Sequence, residues 1–177
     1  MSKQTLIQKI ILQIQILRIQ IQILLFKKKM TVPNLPGPRY IIIHHEGGNN
    51  GFLSVNEWHR QKWGWKSSLG RYCGYQRYLD KNLVWWQARS DREEGAHCPG
   101  RNKDSIGLCL MGDYSKERAS KEMIEKLRDM VDYLRIIYNI PRDHILSDFE
   151  ARIPSRPTIC NCSLHEDFVL KYRNKEL

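Results

Sequence analysis

A chain of 177 residues is long enough to bury one ordinary core without disulfides or a metal to hold it together. The formal net charge of +10 points to a polyanionic partner until it is divided along the chain: residues 1–29 hold six of the 29 Lys and Arg and none of the 19 acids. The remainder, 23 basic against 19 acidic side chains, has no basic run and no nucleic-acid motif, which argues against a nucleic-acid partner and suits a mixed-sign surface or an anionic polymer.

Residues 1–29 differ from everything after them. From Leu6 to Phe26 the segment is almost entirely Ile, Leu and Gln, but five Gln, Lys9 and Arg18 are too costly in hydrocarbon for a transmembrane helix. A signal peptide places its charge first and ends in small residues, whereas here Lys27, Lys28 and Lys29 follow the apolar run. The segment reads as a low-complexity extension upstream of a domain that begins at Met30, with a peripheral amphipathic anchor as the alternative. No stable membrane insertion and no export signal are expected.

Within residues 30–177, Tyr40 to His44 is a short apolar run that predicts a buried strand, and Gly47 to Gly51 a loop. Ser54 with Glu57 three residues on is a capping-box signal for a helix running to Trp63. Two strands follow, 74–79 and 84–89, and then an apolar strand from Ser105 to Met111. After Ser120, the spacing of Met123, Leu127, Met130, Leu134 and Ile137 places them on one face of a long helix that Pro141 ends. Ile145–Leu146 is a last short strand, and Ser163 caps a C-terminal helix containing Phe168 and Leu170. Strands and helices in this order predict a single α/β domain with a central mixed sheet flanked by helices.

His44 ends a buried strand, a rigid place from which to present a ligand, although an isolated His-His pair is more often a hydrogen-bonded interior group. Cys160 stands in a loop bounded by Pro154 and Pro157, with Thr158 two residues before it. The Cys160–Cys162 spacing alone is weak evidence for zinc. Five cysteines, odd in number and unevenly spaced, read as reduced thiols.

In combination these blocks are more specific. The order apolar strand plus His44-His45, Gly74-Tyr75, Gly95-Ala96-His97 with Asn102 and Ser105-Ile106-Gly107, Gly112-Asp113, and a late Thr158-x-Cys160 resembles the zinc N-acetylmuramoyl-L-alanine amidases, a family that includes peptidoglycan-recognition proteins and amidase-type phage lysozymes. The resemblance covers about residues 38–165. It implies a mixed sheet flanked by helices, and a Zn²⁺ cofactor in a groove that takes peptidoglycan, both the glycan and the muropeptide stem peptide. The implied reaction is hydrolysis of the amide between N-acetylmuramic acid and L-alanine.

By the same resemblance, His44 and Cys160 are zinc ligands, Tyr75 and Thr158 face the attacking water and the oxyanion, and His45, His97, Asn102 and Arg77 contact substrate. The departure is at the second zinc histidine. Relatives read Gly-His-x-Asp where this chain reads Ile145-Leu146-Ser147-Asp148, so Leu146 occupies the ligand position. His144, two residues earlier and on the same strand face, is the expected substitute, with Asp148 as a further candidate. A catalytically inactive peptidoglycan-binding protein is the alternative function, with Trp58, Trp63, Trp65, Tyr72, Trp85 and Trp86 offering surface to sugars and Arg71, Arg77, Arg89 or Arg92 meeting carboxylates. The protein is expected to be a monomer, cytoplasmic or released to the cell wall by lysis.

Overall fold

The computed structural model describes residues 37–152 and 162–177. Residues 1–29, Thr158 and Cys160 lie outside them, and from Pro36 onward the chain forms one compact unit. Its centre is a five-stranded mixed sheet in the order β3-β2-β4-β1-β5, where β1 is Tyr40–His45, β2 Arg77–Leu79, β3 Trp85–Gln87, β4 Ser105–Leu110 and β5 Ile145–Ser147. The pairs β1–β4, β1–β5 and β2–β4 are parallel, and β3 closes one edge antiparallel to β2. The continuous apolar runs Ile41–Ile43 and Ser105–Leu110 are buried throughout, as central strands covered on both faces must be.

Strand alternation divides the sheet into two unlike faces. Ile41, Ile43, Ile106, Leu108, Leu110 and Ile145 face the main core. Against that face packs α2, Lys121–Tyr138, through Met123, Leu127, Val131 and Leu134, with Met130 at the margin. Ser120 caps α2, its hydroxyl accepting from the Met123 amide at 3.2 Å. The C-terminal segment covers the same face as a wide π-helical turn, His165–Leu170, leading into a short α-helix, Lys171–Arg173. The altered pitch buries Phe168, Val169 and Tyr172 and leaves Leu170 exposed.

The opposite face carries Ile42, His44, Gly107, Cys109, Tyr78 and Leu146, and α1, Phe52–Trp63, covers part of it. This helix starts two residues before the predicted Ser54. Gly51, at φ 84°, supplies the N-cap with backbone alone, and Glu57 turns to Arg60 and Gln61 rather than back to Ser54. Phe52, Val55 and His59 are its buried stripe.

Replacing Leu127 or Leu134 by Ala, both fully buried under the sheet, is expected to cost about 2–5 kcal/mol in urea unfolding. Ile136, on the solvent side of the same helix, should change stability by no more than about 0.5 kcal/mol when replaced by Ala. Equal effects at the three positions would contradict the assigned face.

Candidate functional site

His44 is the last inward residue of β1, next to Cys109 on β4 in register. A glycine at 107 leaves the neighbouring position on β4 without a side chain, and the His97 ring fills that space. A Cβ built on Gly107 would lie 2.6 Å from His97 Cγ, and one on Gly95 would lie 2.4 Å from His97 Cδ2. Asn102 fixes the loop that delivers the ring, its Oδ1 accepting from the amides of His97 (2.9 Å) and Cys98 (2.8 Å). The result is a contact of 3.0 Å between His44 Nε2 and His97 Nδ1, both residues buried.

Each imidazole has an oxygen partner on its far side. Asp148 Oδ1 lies 3.4 Å from His44 Nδ1 and is held in turn by Arg152, whose Nε and Nη2 reach the carboxylate at 2.9–3.2 Å. Ser105 Oγ lies 3.4 Å from His97 Nε2. Tyr75 leans over the pair, its ring centroid 5.2 Å from His44 and 6.3 Å from His97.

Burial sets the charge states. Desolvation pushes His44 down to about 3, with the positive charge of Arg152 and then His45 adding to it. His97 is also held well below the ordinary histidine value, by burial first and His44 second. Neutral imidazole is the form that ligates metal or exchanges protons. Burial, reinforced by Cys109 and Cys73, raises the Tyr75 hydroxyl well above its ordinary value, so it remains a hydrogen-bond donor throughout the neutral range.

Tyr75, His59 and Trp58 separate two adjoining cavities of about 380 and 470 Å³. The smaller is bounded also by Glu46, Asn50 and Ser54, and the larger by Lys62, Trp63, Trp65, His97, Asn102 and Arg152. His59 accepts from the Gly74 amide at 2.9 Å, so α1 and the Tyr75 segment are tied together where the cavities meet. Trp58 and Trp65 are more than half exposed and offer indole surface to a ligand.

Several expectations do not survive this geometry. His144 sits at the opposite end of the β1–β5 pair from His44: its ring stacks on Tyr40 with centroids 4.5 Å apart, and its Nδ1 meets the Arg39 carbonyl at 2.9 Å. Four residues of strand, about 13 Å, separate Tyr40 from His44, too far for a shared ion. His45 points to the other sheet face, where its Nδ1 accepts from the Tyr114 amide at 3.1 Å. Arg77 also faces away, in a bidentate pair with Asp91 (2.7 and 3.0 Å) that Tyr138 of α2 joins. Arg89 is spent on the carbonyls of Cys73, Trp65 and Glu94. Leu146 packs with Ile42, Cys98, Ala151 and Tyr40. The structure brings His44, Tyr75, His97 and Asn102 together, Asp148 joins them from behind His44, and Arg152 was not foreseen.

The nitrogens of His44 and His97 are donors of the kind zinc takes, two where a catalytic zinc site uses three protein ligands. Among the described residues no group of three or more His, Cys, Asp or Glu side chains is placed to hold a metal, and Cys160 lies outside them.

The sequence matches the N-acetylmuramoyl-L-alanine amidase family over residues 33–168. It is 24% identical over 114 residues to peptidoglycan-recognition protein LB of Drosophila melanogaster, covering 58% of this chain and 47% of that protein, so the chain spans about half the length of the curated relative it matches. The fold is similar to the N-acetylmuramoyl-L-alanine amidase LysC from Clostridium intestinale URNW, with a TM-score of 0.65 and 24% identity over 79% of this chain and 85% of that one. It is also similar to a Drosophila PGRP-LB variant in complex with tracheal cytotoxin, with a TM-score of 0.59 and 22% identity over 77% and 85% of the two chains.

Two outcomes follow from the packing and the charge states. Gly107→Ala should displace the His97 ring and cost about 1–3 kcal/mol, and in a His97→Ala background the same change should cost much less; equal costs in both backgrounds would show that the glycine serves another purpose. His44, His59 and His97 are all held neutral below the ordinary value of 6.5, His59 at about 4 through burial and then Lys62 and Arg89. The unfolded chain takes up protons first as pH falls, so the metal-free protein should keep its stability near pH 7–8 and lose it progressively from about pH 6.5 down to about 3. Urea midpoints measured in chelator should therefore drop from pH 7.5 to 5, and His59→Gln should flatten the drop; a pH-independent midpoint would contradict it.

Proposed function

The chain belongs to the N-acetylmuramoyl-L-alanine amidase family, and from that premise we propose that it hydrolyses the amide joining N-acetylmuramic acid to the L-alanine of the peptidoglycan stem peptide. The observation that carries this reading is the convergence of His44, His97 and Tyr75, with Tyr75 lining both cavities, His97 the larger one, and Asp148 and Arg152 behind His44. His44 and the thiolate of Cys160 would hold a zinc ion. When bound, that ion supplies polarisation of the scissile carbonyl and a water acidified to a pKa of roughly 7.

The protein's own groups do the rest. Asp148, 3.4 Å from His44 Nδ1, favours the tautomer with its hydrogen on that nitrogen. Tyr75, protonated at all relevant pH, donates to the oxygen on which negative charge develops, and Thr158 is the proposed second donor. The larger cavity, with Lys62 and Arg152 among its walls, suits the carboxylates of a stem peptide, and Trp58 and Trp65 suit the faces of sugar rings.

A specific observation favours a second reading, a peptidoglycan-binding protein that has lost catalysis: Leu146 stands at the position of a zinc histidine in the resemblance and packs, partly buried, against Ile42, Cys98 and Ala151. Purified sacculi separate the two. Hydrolysis exposes new amino-terminal L-alanine, is suppressed by chelator, and should fall about 10²–10³-fold in Tyr75→Phe while that variant still sediments with sacculi. Wild-type protein that sediments with sacculi and liberates no amino termini would establish the binder.

A further inference from the structure

Tyr75 lines both cavities, and the charges on their walls are opposite in sign. The larger has Lys62 and Arg152. In the smaller, among the described residues, Glu46 is the one charged side chain: Asn50, Ser54, Trp58 and Tyr75 carry no charge, and His59 is neutral because burial, then Lys62 and Arg89, hold it down to about 4. Neutral donors set Glu46 in place. Its Oε2 accepts from the Tyr78 hydroxyl at 2.5 Å, and its Oε1 accepts from the Asn50 amide at 2.9 Å and from Asn50 Nδ2 at 2.8 Å. A carboxylate offers about four lone-pair sites and no hydrogen, so a ligand in this cavity can meet Glu46 only as a donor.

The surroundings favour a hydroxyl over an ammonium as that donor. Trp58 forms an aromatic wall of the cavity and already carries the Lys62 ammonium 4.3 Å from its ring centroid, so a second cation there meets like charge. Asn50 and Ser54 add groups that both donate and accept, and an indole with a few such groups around it suits a sugar ring. The chemistry of the bond says which sugar. Tyr75 bounds this cavity, and the amide it serves is joined through the lactyl ether directly to the N-acetylmuramoyl ring, so that ring is the sugar nearest to it. Within the polymer the ring's other positions are taken by glycosidic bonds, the acetamido group and the lactyl ether, and its primary hydroxyl alone stays free.

We propose that Glu46 is a specificity-determining residue that accepts a hydrogen bond from the primary hydroxyl of the N-acetylmuramoyl ring, so that this chain selects glycan in which that hydroxyl is free over glycan in which it is acylated. Esterification removes the hydrogen and sets an ester oxygen against the carboxylate, two acceptors with no donor between them. The stem peptide then extends into the larger cavity, where Lys62 and Arg152 meet its carboxylates. The proposal rests on the amidase reading for the identity of the polymer and for the place of the scissile amide at Tyr75.

The test is calorimetric binding of soluble muropeptides to the full chain, in chelator so that the ligand is not consumed. The probes are a disaccharide muropeptide with its muramoyl hydroxyl free, the same muropeptide O-acetylated at that hydroxyl, and the stem peptide without sugar. Wild type should bind the free form about 10-fold or more tightly than the O-acetylated form. Glu46→Gln should narrow that ratio to about 3-fold or less, because its carboxamide supplies hydrogens to an ester oxygen. The variant should bind the sugar-free stem peptide as wild type does, which also shows that it is folded, and the wild-type ratio needs no variant at all. Equal affinity of wild type for the two muropeptides, no binding of either, or an unchanged ratio in a Glu46→Gln that still binds the stem peptide would each overturn the proposal. A Glu46→Gln that keeps the wild-type urea midpoint and loses the stem peptide would overturn it in favour of a peptide ammonium at Glu46. Hydrolysis is read separately, without chelator. The preference kept with neither muropeptide hydrolysed would leave Glu46 its role and remove the amidase reading, whereas hydrolysis of both with equal affinity would do the reverse.

Discussion

The parallel pairing of β1 with β4 is the constraint on which the site depends. It sets Ile42 opposite Gly107 and His44 opposite Cys109, so the one residue without a side chain lies beside the place where His44 emerges. Into that gap the 95–102 loop inserts His97, with Asn102 holding the loop by two amides. A shift of one residue in register would turn His44 to the opposite face and put Ile106 or Leu108 where the imidazole now lies. Burial then keeps both rings neutral, and the Arg152–Asp148 pair lies behind His44.

The sheet's two faces divide the work. One is hydrocarbon packed against α2 and the C-terminal turns, and the other is polar at its centre and only partly covered by α1. Polar groups are tolerated there because nearly every one has a partner: His59 accepts from Gly74, Tyr78 donates to Glu46 at 2.5 Å, and Gln76 bridges Glu93 and Gly107. Tyr75, Trp58 and His59 line both cavities, and His97 lines the larger.

Much of this frame was legible in the sequence. Unbroken apolar runs gave β1 and β4, three- and four-residue spacing gave α2, and Ser120 marked its start. The start of α1 was misplaced because Gly51 caps through backbone conformation and leaves no side-chain signal. Val131 escaped the predicted stripe because the observed face steps by four residues, 123, 127 and 131, before returning to 134. At the site, His45 and Arg77 were misassigned for one reason: neighbours on a strand point to opposite faces, and motif proximity does not reveal which face a residue occupies. His144 had the right face parity but the wrong height, since the β5 register sets it beside Tyr40. The approach of His97 to His44 needed the tertiary fold, because a loop residue 53 positions away leaves no periodic trace.

The account's central claim is the proposed hydrolysis of the N-acetylmuramic acid to L-alanine amide where His44, His97 and Tyr75 converge. Mass spectrometry of a purified muropeptide incubated with the full chain tests it most directly. The account predicts release of a stem peptide with a free amino-terminal L-alanine. A muropeptide that the protein binds and leaves intact would contradict it.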